Sequence, residues 1–234
     1  MFNPVVFVSL GPGEADLITI KGLKHLQSAQ LIYCPATTLP NNKVTSRGSA
    51  ILSELGIEAS KIDLFQVPMS KNRELALQAY REITHRIIQK HQEGLRIAVT
   101  VEGDAGFYSS VHYIMDELRE RHIPVSQIAG IPAFIACEAT AGIHLVKQEE
   151  QLQVIPGVIA FESLLKEIRE GKVLVIMKTS QCETVIKQVM RELPDHTFHY
   201  FENVGVKEKE FYTTDHRQIL ERAFPYFSLL IIRP

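Results

Sequence analysis

The residues best suited to chemistry are glycines and charged groups that follow short apolar runs. Leu10-Gly11-Pro12-Gly13 closes the run Val5–Ser9. Glycine admits positive φ and carries no Cβ, so backbone there can approach a ligand closely. In open α/β sheets, ligands collect outside the carboxyl ends of the strands. A glycine turn at such an end has two readings: a plain chain reversal, or one wall of a ligand cradle. Glu102-Gly103-Asp104-Ala105-Gly106-Phe107-Tyr108-Ser109-Ser110 follows the run Arg96–Thr100 in the same way. Asp104 there is able to accept hydrogen bonds from a ligand hydroxyl or ammonium, and Gly103 offers backbone access. The alternative is that Asp104 or Ser109 only caps the following helix. Two such loops on one sheet edge favour a ligand over two plain turns.

The first loop has its own internal tests. A dinucleotide site wants Gly-x-Gly-x-x-Gly and an acidic residue about 20 positions later to hold the ribose. Here Asp16 stands where the third glycine would be, and no Asp or Glu occurs from Leu17 to Ser53. That counts heavily against a nicotinamide site and against a methyltransferase of the Rossmann type. No Gly-Lys-Ser/Thr follows, so a P-loop is excluded as well. The acid-free stretch carries Lys21, Lys24, Lys43 and Arg47. It reads either as a chance bias with solvated lysines, or as a local positive field turned toward an anionic substrate. Nine histidines invite a metal reading, but a separation of three puts His196 and His199 on opposite faces of a strand. No metal is expected.

Composition sets the frame for these loops. The chain has 234 residues, 45% hydrophobic and 22% charged, with a net charge of −2. That is enough chain for a proper core, in one large domain or two modest ones. The weak negative charge lacks the basic surface expected of a nucleic-acid partner. The longest apolar runs are strand-sized, short of the roughly 20 residues a membrane span needs. Cys34, Cys137 and Cys182 form no CxxC pair, so neither a disulfide framework nor a zinc knuckle is indicated. With no signal-like N-terminus, a reduced, cytoplasmic protein is the expectation.

Strand-sized runs at Val5–Ser9, Leu31–Cys34, Lys61–Gln66, Arg96–Thr100 and Val125–Ala129 alternate with helical patterns at Ile20–Ala29, Arg73–Gln92, Tyr108–Arg121 and Ala133–Ala141. Such alternation predicts parallel pairing with right-handed crossovers. The N-terminal half is therefore expected to be an open five-stranded α/β sheet. A polar joint at Gly142–Gln151 predicts a boundary, with domains over 1–144 and 145–234. Beyond it, Leu152–Pro156, Lys172–Met177, Thr197–Glu202, Glu210–Thr214 and Tyr226–Ile232 read as strands and Thr179–Leu193 as a helix. A hairpin around Val204–Gly205 makes this second sheet mixed.

Three motifs carry a family resemblance. Val8 to Thr19 (VSLGPGEADLIT), Gly103-Asp104 with Phe107-Tyr108-Ser109, and Gly130-Ile131-Pro132-Ala133 stand in the order and spacing of the tetrapyrrole (corrin/porphyrin) methylases. Within that family, Leu152–Pro156, Val175–Lys178 and Pro225–Leu230 are most similar to the carbon-20 methyltransferases of precorrin-2 or cobalt-factor II. The resemblance implies a homodimer of two α/β domains binding S-adenosylmethionine in the cleft between them, and a tetrapyrrole substrate. It places the cofactor against Gly11, Pro12, Gly13, Glu102, Gly103, Asp104, Tyr108, Ser109, Pro132, Ala133 and Met177. A carboxylate-rich macrocycle would pair with Lys21, Lys43, Arg47 and Lys178, arginine in bidentate fashion. Asp104, Tyr108 and Tyr226 are the candidates for assisting proton loss after methyl transfer. Glu14, Ala105 and Ala129 depart from the family's usual Asp, Pro and Pro.

Overall fold

The computed structural model describes residues 3–38, 44–68 and 73–234. The chain divides into two units, Met1–Pro132 and Ala133–Pro234. The division falls before the polar joint read from the sequence, so the helix beginning at Ala133 travels with the second unit.

The first unit runs β1 (Val5–Ser9), α1 (Ile20–Ser28), β2 (Leu31–Thr38), β3 (Val44–Thr45), α2 (Arg47–Glu54), β4 (Ile62–Gln66), α3 (Arg73–Gln92), β5 (Ile97–Val101), α4 (His112–Glu120) and β6 (Val125–Ile128). Five strands pair in parallel as expected, in the order β4-β2-β5-β1-β6. A sixth, β3, adds to the far end of β2 in antiparallel sense. β1 and β5 lie at the centre of this sheet and are buried throughout, as strands covered on both faces must be. The two-residue period sends Val5 and Phe7 to one face, with Ile83 and Ile87 of α3 and Ile114 and Leu118 of α4. Val6 and Val8 go to the other, with Leu26 of α1 and Leu52 of α2.

The second unit runs α5 (Ala133–Ala141), β7 (Leu152–Ile155), α6 (Phe161–Arg169), β8 (Val173–Met177), α7 (Glu183–Glu192), β9 (Thr197–Glu202), β10 (Phe211–Thr213), α8 (His216–Glu221) and β11 (Ser228–Arg233). Its sheet, β10-β9-β11-β8-β7, is mixed: β7 and β8 are parallel and every other pair is antiparallel. β9 and β10 form the expected hairpin. Leu164 and Ile168, Ile186 and Val189, and Ile219 bring α6, α7 and α8 onto one sheet face, against Phe198, Tyr200 and Leu230.

Several boundaries differ from the sequence reading. The expected helix Tyr108–Arg121 begins only at His112, because Tyr108 sits at φ 49, outside helical space. The expected helix Thr179–Leu193 splits: Lys178 at φ 52 leads a 3₁₀ turn, and α7 starts after Cys182. Helix α2 was hidden by Ser46, Gly48 and Ser49, poor helix formers in mid-helix but apt at a start. Ser46 caps it, accepting from the Ser49 N–H at 3.0 Å. The three cysteines are free and buried. Among the described residues, no helix is long and apolar enough to cross a membrane.

Candidate functional site

The ends of β1 and β5 are joined directly. The Leu10 N–H donates to the Val101 carbonyl at 2.8 Å, continuing the parallel ladder. One residue further, Gly11 and Gly103 exchange hydrogen bonds as an antiparallel bridge, at 3.2 and 2.7 Å. Two strands that ran parallel thus turn to face each other, which requires positive φ at both: Gly11 at 80° and Gly103 at 71°. A Cβ on Gly103 would meet nothing within 4 Å, so its backbone borders open space.

The end of β6 is tied into the same knot by two short side chains. Ser9, fully buried at the end of β1, donates its hydroxyl to the Ile128 carbonyl at 2.7 Å and accepts from the Ala105 N–H at 2.9 Å. Asp104 accepts from the Gly106 N–H through Oδ1 at 2.8 Å and from the Gly130 N–H through Oδ2 at 2.7 Å. Gly130 tolerates no larger residue: a Cβ there would lie 2.4 Å from Ser9 Cβ and 2.7 Å from the Gly103 carbonyl oxygen. Three strand ends are therefore locked by backbone groups, with Ser9 and Asp104 as fasteners. Neither Ser9 nor Gly130 announces this role in the sequence; the one available signal for Ser9 is a hydroxyl in an otherwise apolar strand.

A charged pair stands beside this knot. Arg47 Nε lies 3.6 Å from Glu102 Oε2, and Arg47 Nη2 donates to the Pro12 carbonyl at 3.3 Å. Burial pushes the Glu102 carboxyl up from its ordinary range, opposed by Arg47 and by the Gly48 N–H. The same burial lowers Arg47.

The structure thus gathers Gly11, Pro12, Gly13, Glu102, Gly103 and Asp104 in one place, and brings Arg47 among them. Tyr108 and Ser109 follow in the same loop; the Ser109 carbonyl lies 2.9 Å from His112 Nδ1, and the Tyr108 ring packs edge-on to Phe107 at 4.8 Å. Pro132 and Ala133 are half-buried at the start of α5, two residues past Gly130. Lys21 is exposed on the first turn of α1, and Lys43 lies outside the described residues. Within the second unit, Met177 closes β8 and is registered opposite Leu229, with Lys178 next in the chain. Tyr226, half-exposed, precedes β11 and packs edge-on to Phe227 at 5.0 Å.

Glycine backbone at two joined strand ends, with open space beside Gly103, suits a ligand held by main chain. Sequence comparison identifies the class: the profile of the tetrapyrrole (corrin/porphyrin) methylases matches residues 4–220. The chain belongs to this family, whose members are S-adenosylmethionine-dependent C-methyltransferases.

Particular relatives are more distant. The chain is 26% identical over 179 residues, 76% of this chain and 74% of the relative, to a probable cobalt-precorrin-2 C(20)-methyltransferase of Methanocaldococcus jannaschii. It is 24% identical over 242 residues, 97% of this chain and 94% of the relative, to a precorrin-2 C(20)-methyltransferase of a Sinorhizobium species. A precorrin-4 C(11)-methyltransferase of Pseudomonas aeruginosa is 29% identical over 62% of this chain and 50% of its own length. Among solved structures, the cobalt precorrin-4 methyltransferase CbiF aligns with a TM-score of 0.73 at 16% identity, covering 98% of this chain and 94% of its own. The uroporphyrin-III C-methyltransferase of Thermus thermophilus, complexed with S-adenosylhomocysteine, aligns with a TM-score of 0.66 at 16% identity, covering 99% and 97%. These likenesses show the shared fold.

Proposed function

We propose that this methyltransferase acts on carbon 20 of precorrin-2 or cobalt-factor II in cobalamin biosynthesis. What supports the position is the pair of carbon-20 relatives, one of them aligned over nearly the whole chain. A second reading, methylation at another carbon or of a sirohaem precursor, is favoured by the carbon-11 relative and by a uroporphyrinogen-III C-methyltransferase 24% identical over 82% of the chain.

S-adenosylmethionine, when bound, supplies a methyl group already activated on a sulfonium sulfur. The chain's task is chiefly to align a nucleophilic carbon with that methyl and to keep water away. In this proposal, main chain at Gly11, Gly13 and Gly103 holds the nucleotide part of the donor, with Pro132, Ala133, Tyr108 and Ser109 of the following segments beside it. Met177 is the second unit's proposed donor contact. Asp104 spends both oxygens on backbone N–H groups, so its role is to hold the loop, and it is a poor acceptor for a substrate proton. Tyr108 and Tyr226 remain the candidates for that step. Lys21 and Lys178 are the proposed partners of substrate carboxylates. The enzyme is proposed to act as a homodimer.

Incubation with precorrin-2 and with cobalt-factor II, using S-adenosylmethionine carrying a labelled methyl, followed by NMR of the product, tests the assignment. A label on carbon 20 is expected. A label elsewhere, or donor binding with no turnover on either substrate, overturns the carbon-20 assignment and moves the protein to the second reading, for which uroporphyrinogen III is the substrate to try next.

A further inference from the structure

Arg47 is expected from sequence to reach a substrate carboxylate and Glu102 to line the cofactor, yet in the structure each faces the other. The arrangement around them is built from four segments. Ser46, between β3 and α2, accepts from the Ser49 N–H to cap α2 and donates to the Pro35 carbonyl of β2 at 2.7 Å. The first turn of α2 is thereby pinned to β2. Gly48, in that turn, has no room for a side chain: a Cβ would stand 2.9 Å from Cys34 Sγ. Its lack of one lets the helix start sit down on β2 with the Gly48 N–H turned to the Glu102 carboxylate. Arg47, its neighbour, spans the remaining distance, with Nε toward Glu102 and Nη2 on the Pro12 carbonyl. A carboxylate at a helix start meets both the exposed N–H groups and the positive end of the helix dipole. The two charges therefore have partners on both sides although they are largely shielded from water.

We infer that Arg47 and Glu102 are positioning residues, a charged strut that fixes the Gly11–Gly13 turn against the Gly103 loop from the start of α2. The inference rests on the reading of those loops as the methyl-donor cradle. Glu102 immediately precedes Gly103, whose backbone bonds to Gly11, and Arg47 holds the carbonyl of Pro12, the next residue on the other side. The strut thus braces the glycine bridge from both flanks. Glycine loops lack side-chain packing of their own, and a preorganised cradle is what lets donor binding proceed without the entropy loss of ordering it.

The experiment compares wild type with R47Q, E102Q, the R47Q/E102Q double variant and R47K. S-adenosylhomocysteine affinity is read by calorimetry, the KM for each substrate by kinetics, and loop amides by hydrogen exchange. R47Q and E102Q are each expected to weaken S-adenosylhomocysteine about tenfold, since each removes a charge-assisted contact. The double variant is expected to lose little more than the worse single, because both remove one interaction. The KM for S-adenosylmethionine rises in step, the KM for the tetrapyrrole stays put, and R47K, which keeps a cation, recovers part of the loss. In free protein, the Gly11 and Gly103 amides exchange faster in both single variants, while amides in the middle of β1 do not. A raised KM for the tetrapyrrole with unchanged S-adenosylhomocysteine affinity overturns the inference and returns Arg47 to the substrate. Unchanged exchange at Gly11 and Gly103 overturns it also. Should R47Q not fold, R47K and E102Q decide by the same readouts. If wild type binds no S-adenosylhomocysteine, the donor reading fails, and the exchange data still judge the strut by themselves.

Discussion

The two units handle buried polar groups in opposite ways. In the first, Ser9, Asp104, Arg47 and Glu102 all sit where strands end, and their partners are mostly backbone groups of loops. In the second, a polar cluster joins the sheet to the segment after α8 and its members satisfy one another. Glu202, buried in β9, accepts from Tyr200 at 2.9 Å and is clasped by Arg222 through two bonds of 2.8 and 3.0 Å. Arg222 in turn lies 3.8 Å over the Phe211 ring. A parallel sheet leaves strand ends free on one edge for loops to gather, whereas the hairpin-linked β9 and β10 return the chain at once. The first unit invests its polar contacts in shaping a surface, the second in closing a core.

The sharpest way to break that contrast is at Gly130. The Cβ of Gly130→Ala would collide with Ser9 and the Gly103 carbonyl, forcing apart the ends of β1, β5 and β6. A loss of about 2 kcal/mol of stability is expected, together with a fall in turnover of about 100-fold from misplacement of the cradle. Chemical denaturation and steady-state kinetics measure the two. Turnover within a factor of two of wild type, in a folded protein, would separate the cradle from catalysis.

Glu202→Leu should behave in the reverse manner. It leaves Arg222 and Tyr200 without their common acceptor, and breaking a buried pair from one side costs about 3 kcal/mol. Arg222 is partly exposed and regains water, so about 2 kcal/mol is expected from denaturation. S-adenosylhomocysteine affinity, measured on the folded fraction, should stay at the wild-type value. A parallel loss of affinity would mean that the second unit's core is also part of the donor site.

How far these differences are legible in the sequence follows from the kind of signal each leaves. Periodicity exposes β1, β5 and most helices, because burial on both sheet faces demands unbroken apolar runs such as VVFVS and IAVTV. The two glycine loops announce themselves by residue type at strand ends. Long-range partners leave no such trace. Nothing in the local sequence tells Arg47 that it meets Glu102, 55 positions away, or Asp104 that it will bind Gly130; charge and hydrogen-bonding type alone suggest ligands instead. Helix α2 is obscured for a related reason, since what stabilises its start is the Ser46 cap and a carboxylate from another strand. The polar tract after α5, read from the sequence as the joint, is an exposed loop, and the chain's compact units divide ahead of it, at Pro132.

Tyr108 offers a finer test of whether the first unit holds strain at its loops. A bulky residue at φ 49 is uncommon and costs on the order of 1 kcal/mol. On ordinary backbone, alanine is more stable than glycine; at this position the order should invert. Tyr108→Gly is expected to exceed Tyr108→Ala in stability by about 1 kcal/mol, as denaturation midpoints would reveal. Equal midpoints, or alanine ahead, would show that the loop relaxes out of the left-handed region at no cost.

The smallest expected effect, and the one with opposite signs in the two units, is the response to pH. In the first unit burial raises the Glu102 carboxyl above 4.5 in the folded chain. The unfolded chain then ionises first as pH rises, so Glu102 makes its full contribution below 4.5 and loses it as pH climbs through the folded value. In the second unit His199 is buried beside Arg233, with Nδ1 2.9 Å from the Tyr212 hydroxyl. Burial, aided by Arg233, lowers it below 6.5. There the unfolded chain takes up a proton first as pH falls, so His199 contributes fully above 6.5 and loses that contribution as pH drops through its folded value. Denaturation curves of wild type, Glu102→Gln and His199→Gln between acid and neutral pH isolate each slope by subtraction. The stability of wild type relative to Glu102→Gln should decline with rising pH, and that relative to His199→Gln should decline with falling pH. A slope of zero for either difference would mean that the group exchanges its buried surroundings for water in solution, and a reversed slope that a partner holds its ionised form in the folded chain.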